Sequence, residues 1–148
     1  MKNYTTKELG IHINDIYPRI KRLTKNDGVY KKLSVHFDTN TPQNSDGLYC
    51  YSDREGYHFC YIERGNVSMH YITKDLFEIT YKVISSSIFS MAFEYEKKHR
   101  VEKVDSRRLG FQKEIQYFTE LGEDYRKQAE FDINEILKKH PYDDNLSK

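Results

Sequence analysis

The sequence predicts an α+β fold: an N-terminal helical segment, an antiparallel β-meander of about three to four strands, then three α-helices packed on the sheet. Two observations carry this. Apolar residues recur at helical spacing toward both ends of the chain, whereas residues 48 to 72 are β-branched and aromatic runs of period two, broken by turn residues. The length, 148 residues, speaks for one domain covering residues 1–148. With 37% apolar and 32% charged residues, 13 Tyr, 8 Phe and no Trp, the chain is apolar enough to fold. Its core must therefore use rings that carry a polar tip.

Leu9, Ile13, Ile16, Ile20 and Leu23 share a helical face, but Pro18 interrupts it, so the helix should split near Tyr17. Asn26-Asp27-Gly28 signals a turn, and Tyr30, Leu33, Val35 and Phe37 suggest a first strand with imperfect alternation. Residues 38 to 47 read as a loop. Leu48 to Ser52, Tyr57 to Ile62 and Val67 to Ile72 follow as three strands, joined through Asp53-Arg54-Glu55-Gly56 and Glu63-Arg64-Gly65-Asn66. On the middle strand Tyr57, Phe59, Tyr61 and Glu63 share one face, while His58, Cys60, Ile62 and Arg64 share the other. The meander is expected to pack on a helix from about Asp75 to Arg100, whose stripe is Leu76, Thr80, Val83, Ser87 and Met91, widened by Phe77, Ile84, Ile88 and Tyr95. Asp105 or Ser106 can cap the next helix, which carries Phe111, Ile115, Phe118 and Leu121 and ends at Gly122. A last helix from about Glu123 to Lys139 presents Tyr125, Ala129, Ile133, Ile136 and Leu137, with Pro141 just beyond it.

A formal net charge of +1 gives no global field for nucleic acid or an anionic membrane. The charge is unevenly spread. Residues 1–37 carry a net +5, and residues 111–137 hold seven Asp/Glu against three Lys/Arg. No apolar run is long enough for a signal peptide or a membrane span, so a cytoplasmic protein is expected. Cys50 and Cys60 lack metal-ligand spacing and are read as buried free thiols.

Motifs for the common enzyme classes are missing: the sequence has no phosphate-cradling Gly-rich loop, HExxH, EF-hand loop or GxSxG. We expect no catalytic residue, no cofactor and no metal. His58 and His70 are the one pair suited to acid-base work, because they fall on adjacent strands. A three-residue loop opposing Glu63 and Val67 would put both on one face, whereas a two-residue Gly65-Asn66 loop would put them on opposite faces. A small hydrolase or ribonuclease built on them is the alternative to plain sheet histidines. Glu63-Arg64-Gly65 reads as a hairpin tip, with Gly65 free to take positive φ. In Asp105-Ser106-Arg107-Arg108 the carboxylate suits a helix N-terminus, while the guanidinium groups oppose the dipole and need a carboxylate partner, Glu63 being one possibility.

The ordered series Tyr57-His58-Phe59, Glu63-Arg64-Gly65, a long helix, Asp105-x-Arg107-Arg108 with Phe111, and His140-Pro141-Tyr142-Asp143-Asp144 resembles the immunity protein 63 type family of bacterial polymorphic-toxin systems. The resemblance covers roughly residues 48 to 144. It implies a non-catalytic antitoxin that binds and neutralises a cognate secreted toxin, a nuclease in the leading case, within the producing cell. Tyr57, Glu63, Arg64, Gly65, Asp105, Arg107, Arg108, Phe111 and Pro141 are its motif residues. The acids Glu114, Glu120, Glu123, Asp124, Glu130 and Asp132 are the candidate contacts for a basic toxin, since complementary charge speeds encounter. Direct nucleic-acid binding is not expected, because the basic and aromatic residues fall in different segments.

Overall fold

A computed structural model describes residues 3–39 and 45–145. The elements are α1 (Thr6–Ile16), a 3-10 turn (Tyr17–Ile20), α2 (Lys21–Asn26), β1 (Val35–His36), β2 (Gly47–Asp53), β3 (Gly56–Glu63), β4 (Asn66–Thr73), α3 (Leu76–Lys98), α4 (Ser106–Leu121) and α5 (Glu123–Lys139). The class is α+β, and Pro18 splits the first helix at the expected place. Two compact units are distinguished, residues 1–17 with 32–85 and residues 18–31 with 86–148.

In the first unit α1 opens with a capping box: the Thr5 hydroxyl accepts from Glu8 N–H, and Glu8 reaches back to Thr5 N–H. This end of the helix is tied to the sheet. The Tyr57 hydroxyl accepts from Tyr4 N–H at 2.9 Å, and Thr6 Oγ1 accepts from Ser52 N–H at 3.0 Å. Leu9 and Ile13 are fully buried. The sheet order is β1-β2-β3-β4, so β4 is an edge strand.

The expected all-antiparallel meander needs one correction, since β1 runs parallel to β2 and the sheet is mixed. The first strand is also shorter than Tyr30, Leu33, Val35 and Phe37 suggested. Tyr30 belongs to the other unit, where Lys21 and Lys25 lie over its ring, and Phe37 packs against Gly10. Only Val35 and His36 remain to pair with Leu48 and Tyr49.

The β3–β4 hairpin resolves the histidine question by a route that neither loop length anticipated. Glu63 pairs with Asn66 across a two-residue loop, Arg64-Gly65, and both loop residues have positive φ (52° and 78°), as a type I′ turn requires. A bulge then shifts the register, so that Ile62 faces Val67 but Tyr61 faces Met69. Beyond it His58 opposes Ile72 and Cys60 opposes His70. Both histidines therefore share one face with Tyr49, Tyr51, Cys60 and Ile62.

In the second unit α4 and α5 pack against each other on either side of Gly122. Asp105 caps α4 by accepting from Arg107 N–H, and Phe111, Tyr117, Phe118, Leu121, Tyr125, Ala129 and Ile133 line the core. Gly110 is required by close approach, because a Cβ there would lie 2.3 Å from ring carbons of Phe93. The segment before β1 is held by a buried network: Lys113 Nζ and the Tyr117 hydroxyl each donate to Asp27 Oδ2 at 2.8 Å, with Lys113 4.0 Å from the Tyr95 ring centroid. Helix α3 buries Ile79, Ala92 and Glu96 besides Thr80, Val83, Ile84, Ile88 and Met91, a wider face than the expected stripe. Leu76, Phe77, Ser87 and Tyr95 are only half-buried.

Candidate functional site

The first constellation is built on the sheet. Asp53, at the end of β2, accepts from Glu55 N–H and so shapes the β2–β3 turn, and the same Oδ1 lies 2.8 Å from His58 Nε2. His58 stacks on Tyr51 with ring centroids 4.4 Å apart, and its Nδ1 lies 2.7 Å from Nε2 of His70. The hydrogen bond from His58, with lesser help from the turn amides, holds the Asp53 carboxyl below its ordinary range. Asp53 is thus an anion that accepts a hydrogen bond from His58 Nε2–H. In the neutral pair this leaves His58 Nδ1 to accept from His70 Nε2–H. The relay runs from a carboxylate through a histidine only 3% exposed to an exposed one. It fixes the ring of His70 and leaves Nδ1 as that ring's remaining nitrogen.

The second constellation joins the start of α4 to the chain after α5. Arg107 donates through Nε and Nη2 to the two Asp105 oxygens, and through Nη1 and Nη2 to the carbonyls of His140 and Pro141. Asp105 Oδ2 also accepts from Asp143 N–H, while Asp105 N–H donates to Asp144 Oδ1. Arg108 pairs with Asp144 at 3.0 Å and lies over the Tyr142 ring at 4.2 Å. Phe111 meets Tyr142 and Phe93. The Arg107 guanidinium, then the backbone amides, hold the Asp105 carboxyl well below the usual carboxylate range. Both arginines make ion pairs, as the helix-dipole argument required, but their partners are Asp105 and Asp144 and not Glu63.

The family model of immunity protein 63 matches residues 52–135, more than half of the chain. The chain belongs to the immunity protein 63 family. No curated protein and no solved structure gives a significant match.

The match spans β2 to α5, and so takes in both the relay and the Asp105-Arg107-Arg108 motif, though not Pro141 and its neighbours. Within this immunity-family chain the motif residues divide by position. Tyr57 is buried where it receives Tyr4 N–H, and Phe111 lies in the helical core. Glu63, Arg64 and Gly65 form an exposed turn, with Arg64 N–H donating to Asp46. The six acids do not form one class either. Arg126 is shared by Glu123 and Glu130, both at 2.6 Å, and Asp132 accepts from Gln128. Glu120 and Asp124 are exposed. Glu114 is largely withdrawn from solvent: burial, then the nearby Asp132 charge, pushes its carboxyl up to about 7, and its Oε1 has no hydrogen-bond partner among the described residues. A carboxyl in that setting is poorly suited to attract a cation.

Sequence reasoning missed Lys113 and Gly110, read Asp53 and Asp27 only as turn residues, and carried Asp144 only within the closing motif. The signal for Asp144 was present, since the Asp143-Asp144 pair follows the α5 stop. Asp27 and Lys113 are 86 positions apart, and no periodicity connects them. Cys50 and Cys60 are buried free thiols, and burial pushes the Cys50 thiol up to about 12. Among the described residues no His, Cys, Asp and Glu cluster is placed to hold a metal ion, and no helix is long and apolar enough to cross a membrane.

Proposed function

We propose that this chain is a non-catalytic antitoxin that binds a cognate secreted toxin, a nuclease with a basic active surface, and neutralises it in the cytoplasm of the producing bacterium. Family membership carries this reading. The site chemistry agrees with it, since the charged motif residues of the second constellation are bonded to one another and to backbone carbonyls, leaving the guanidinium groups committed to structure.

The Asp53–His58–His70 relay favours a second reading, a hydrolase using His58 and His70. A general acid and a general base must reach different atoms of the substrate within hydrogen-bond distance of each. Here the two imidazoles are bonded to each other at 2.7 Å and His58 is buried, so only His70 has an open side. The relay is better suited to holding one imidazole rigidly than to two-sided proton transfer.

Titration of toxin activity against this protein tests the choice. An inhibitor must occupy the toxin mole for mole, so protection saturates near one equivalent, and the double variant His58→Gln, His70→Gln has no hydrolytic activity to lose. Protection at far lower ratios, or RNA hydrolysis that disappears in the double variant, would favour the hydrolase.

A further inference from the structure

The sheet face that carries both histidines changes character at its last strand. On that face Tyr49, Tyr51, His58, Cys60 and Ile62 of β2 and β3 are each at most 8% exposed. Across the next ladder Val67 is 48% exposed and Ile72 43%, with His70 exposed between them. The opposite side of β4 is only half-open, at Met69, Tyr71 and Thr73. β4 is eight residues long and lies at the sheet edge, and among the described residues none of its backbone groups bonds to any element other than β3. A strand edge of this kind offers a row of donors and acceptors to any extended chain that meets it.

Edges are ordinarily guarded by charge or proline. β4, Asn66-Val67-Ser68-Met69-His70-Tyr71-Ile72-Thr73, contains no Asp, Glu, Lys, Arg or Pro, in a chain that is 32% charged. The bulge at Val67-Ser68 protects only the turn end, leaving Met69 to Thr73 in regular register with β3. In that stretch the one polar side chain on this face is His70, which the relay holds through Nε2. An ordered polar group between two exposed aliphatic residues has lost its rotamer freedom before any partner arrives, so docking there costs less entropy.

We propose that β4 is the toxin-docking edge, where an uncharged extended segment of the toxin adds as a fifth strand along Met69–Thr73 with its side chains beside His70 and Ile72. This rests on the immunity reading above. The absence of charge on β4 selects the chemistry of the segment: a Lys, Arg, Asp or Glu set against Ile72 would be partly desolvated with no counter-charge on the strand. Backbone pairing supplies the affinity, and alternate side chains with Nδ1 of His70 supply the choice of partner.

The test uses the full chain and the product of the gene that neighbours its own, co-expressed and purified together. Amide hydrogen exchange should slow at least tenfold at alternate residues of Met69–Thr73 on complex formation, and the double variant Val67→Lys, Ile72→Lys should weaken binding at least tenfold with an unchanged Tm. Should the lysine variant fold poorly, the exchange measurement on the wild-type complex decides alone. A complex that protects against the toxin but leaves the β4 amides exchanging as in the free chain overturns this inference and spares the immunity reading. Absence of any complex or protection overturns both. Protection of β4 in a homodimer of this chain, with no further change when toxin is added, assigns the edge to a second copy and overturns the inference as well.

Discussion

The junction of α4 with residues 140–144 and the β3–β4 hairpin are opposites in how they use polar groups. At the first, Asp105, Arg107, Arg108 and Asp144 bond one another and nearby backbone, and the most conspicuous charged motif of the sequence is consumed in holding the segment after α5 in place. At the second, a single relay begins at a carboxylate and ends on an exposed imidazole, beside a strand with no charge at all. A cluster of ionisable residues in a sequence thus marks the place where charge is compensated. The exposed side chains of β4 lie where the sequence carries no charge.

The largest expected effect breaks the first of these regions. Arg107→Met removes bonds to both Asp105 oxygens and to two carbonyls, and leaves a carboxylate only 11% exposed without its cation. A loss of about 3 kcal/mol is expected. Arg108→Met serves as the internal comparison, because its pair with Asp144 is half-exposed and screened by solvent, so its loss should lower Tm far less. Thermal melts of the two variants beside wild type check this, and wild-type Tm values for both would show that the junction does not hold the fold together. The folded-state pKa of Asp105 is depressed, so its contribution is present above the ordinary carboxylate range and is lost as pH falls through the depressed value. We also expect one melting transition, as a single domain requires, because α3 runs unbroken through the division between the two units.

Much of the fold was legible because local signals agreed with it. Pro18 broke the first helix, Asp105 capped α4, Gly122 separated α4 from α5, and the alternation of β3 gave its faces correctly. The first strand was not legible, since Tyr30 and Val35 look alike in a β-rich run but belong to different units, and only tertiary packing separates them. The histidine register was undecidable for a related reason. A bulge adds one residue without leaving a composition mark, and one residue moves every side chain to the other face. Arg107 could be seen to need a carboxylate but not which one, because opposite charge carries no address.

Glu114 sharpens the comparison from within the acid-rich helices. Its folded pKa of about 7 lies above the ordinary value near 4.5, so the native state binds more protons than the unfolded one between these values. Stability associated with this group is therefore full below about pH 4.5 and falls as pH rises through 7. Glu114→Gln removes the charge that has to be buried. It should stabilise the protein by about 2 kcal/mol at pH 8 and by much less at pH 5. Chemical denaturation at the two pH values measures this, and a variant no more stable than wild type at pH 8 would mean that Glu114 ionises freely.

The smallest effect on stability, and the one that separates the two surfaces, is expected at the exposed acids. Glu120→Lys with Asp124→Lys reverses two solvent-facing charges in the acid-rich region and should move stability by no more than about 0.5 kcal/mol. Charges of this kind act at a distance, through the field that guides a basic partner to the protein, and salt screens that field over about 8 Å at physiological ionic strength. The variant should therefore associate with a basic toxin severalfold more slowly at low salt, with a flatter salt dependence and an unaltered dissociation rate. The lysine variant of β4 should do the reverse, dissociating faster while its salt dependence stays near wild type. Stopped-flow association and dissociation of both variants place each region in its role. If reversing the acids accelerated dissociation as strongly as the β4 change, the toxin would be resting on α4 and α5, and the edge strand would lose its claim to be the contact.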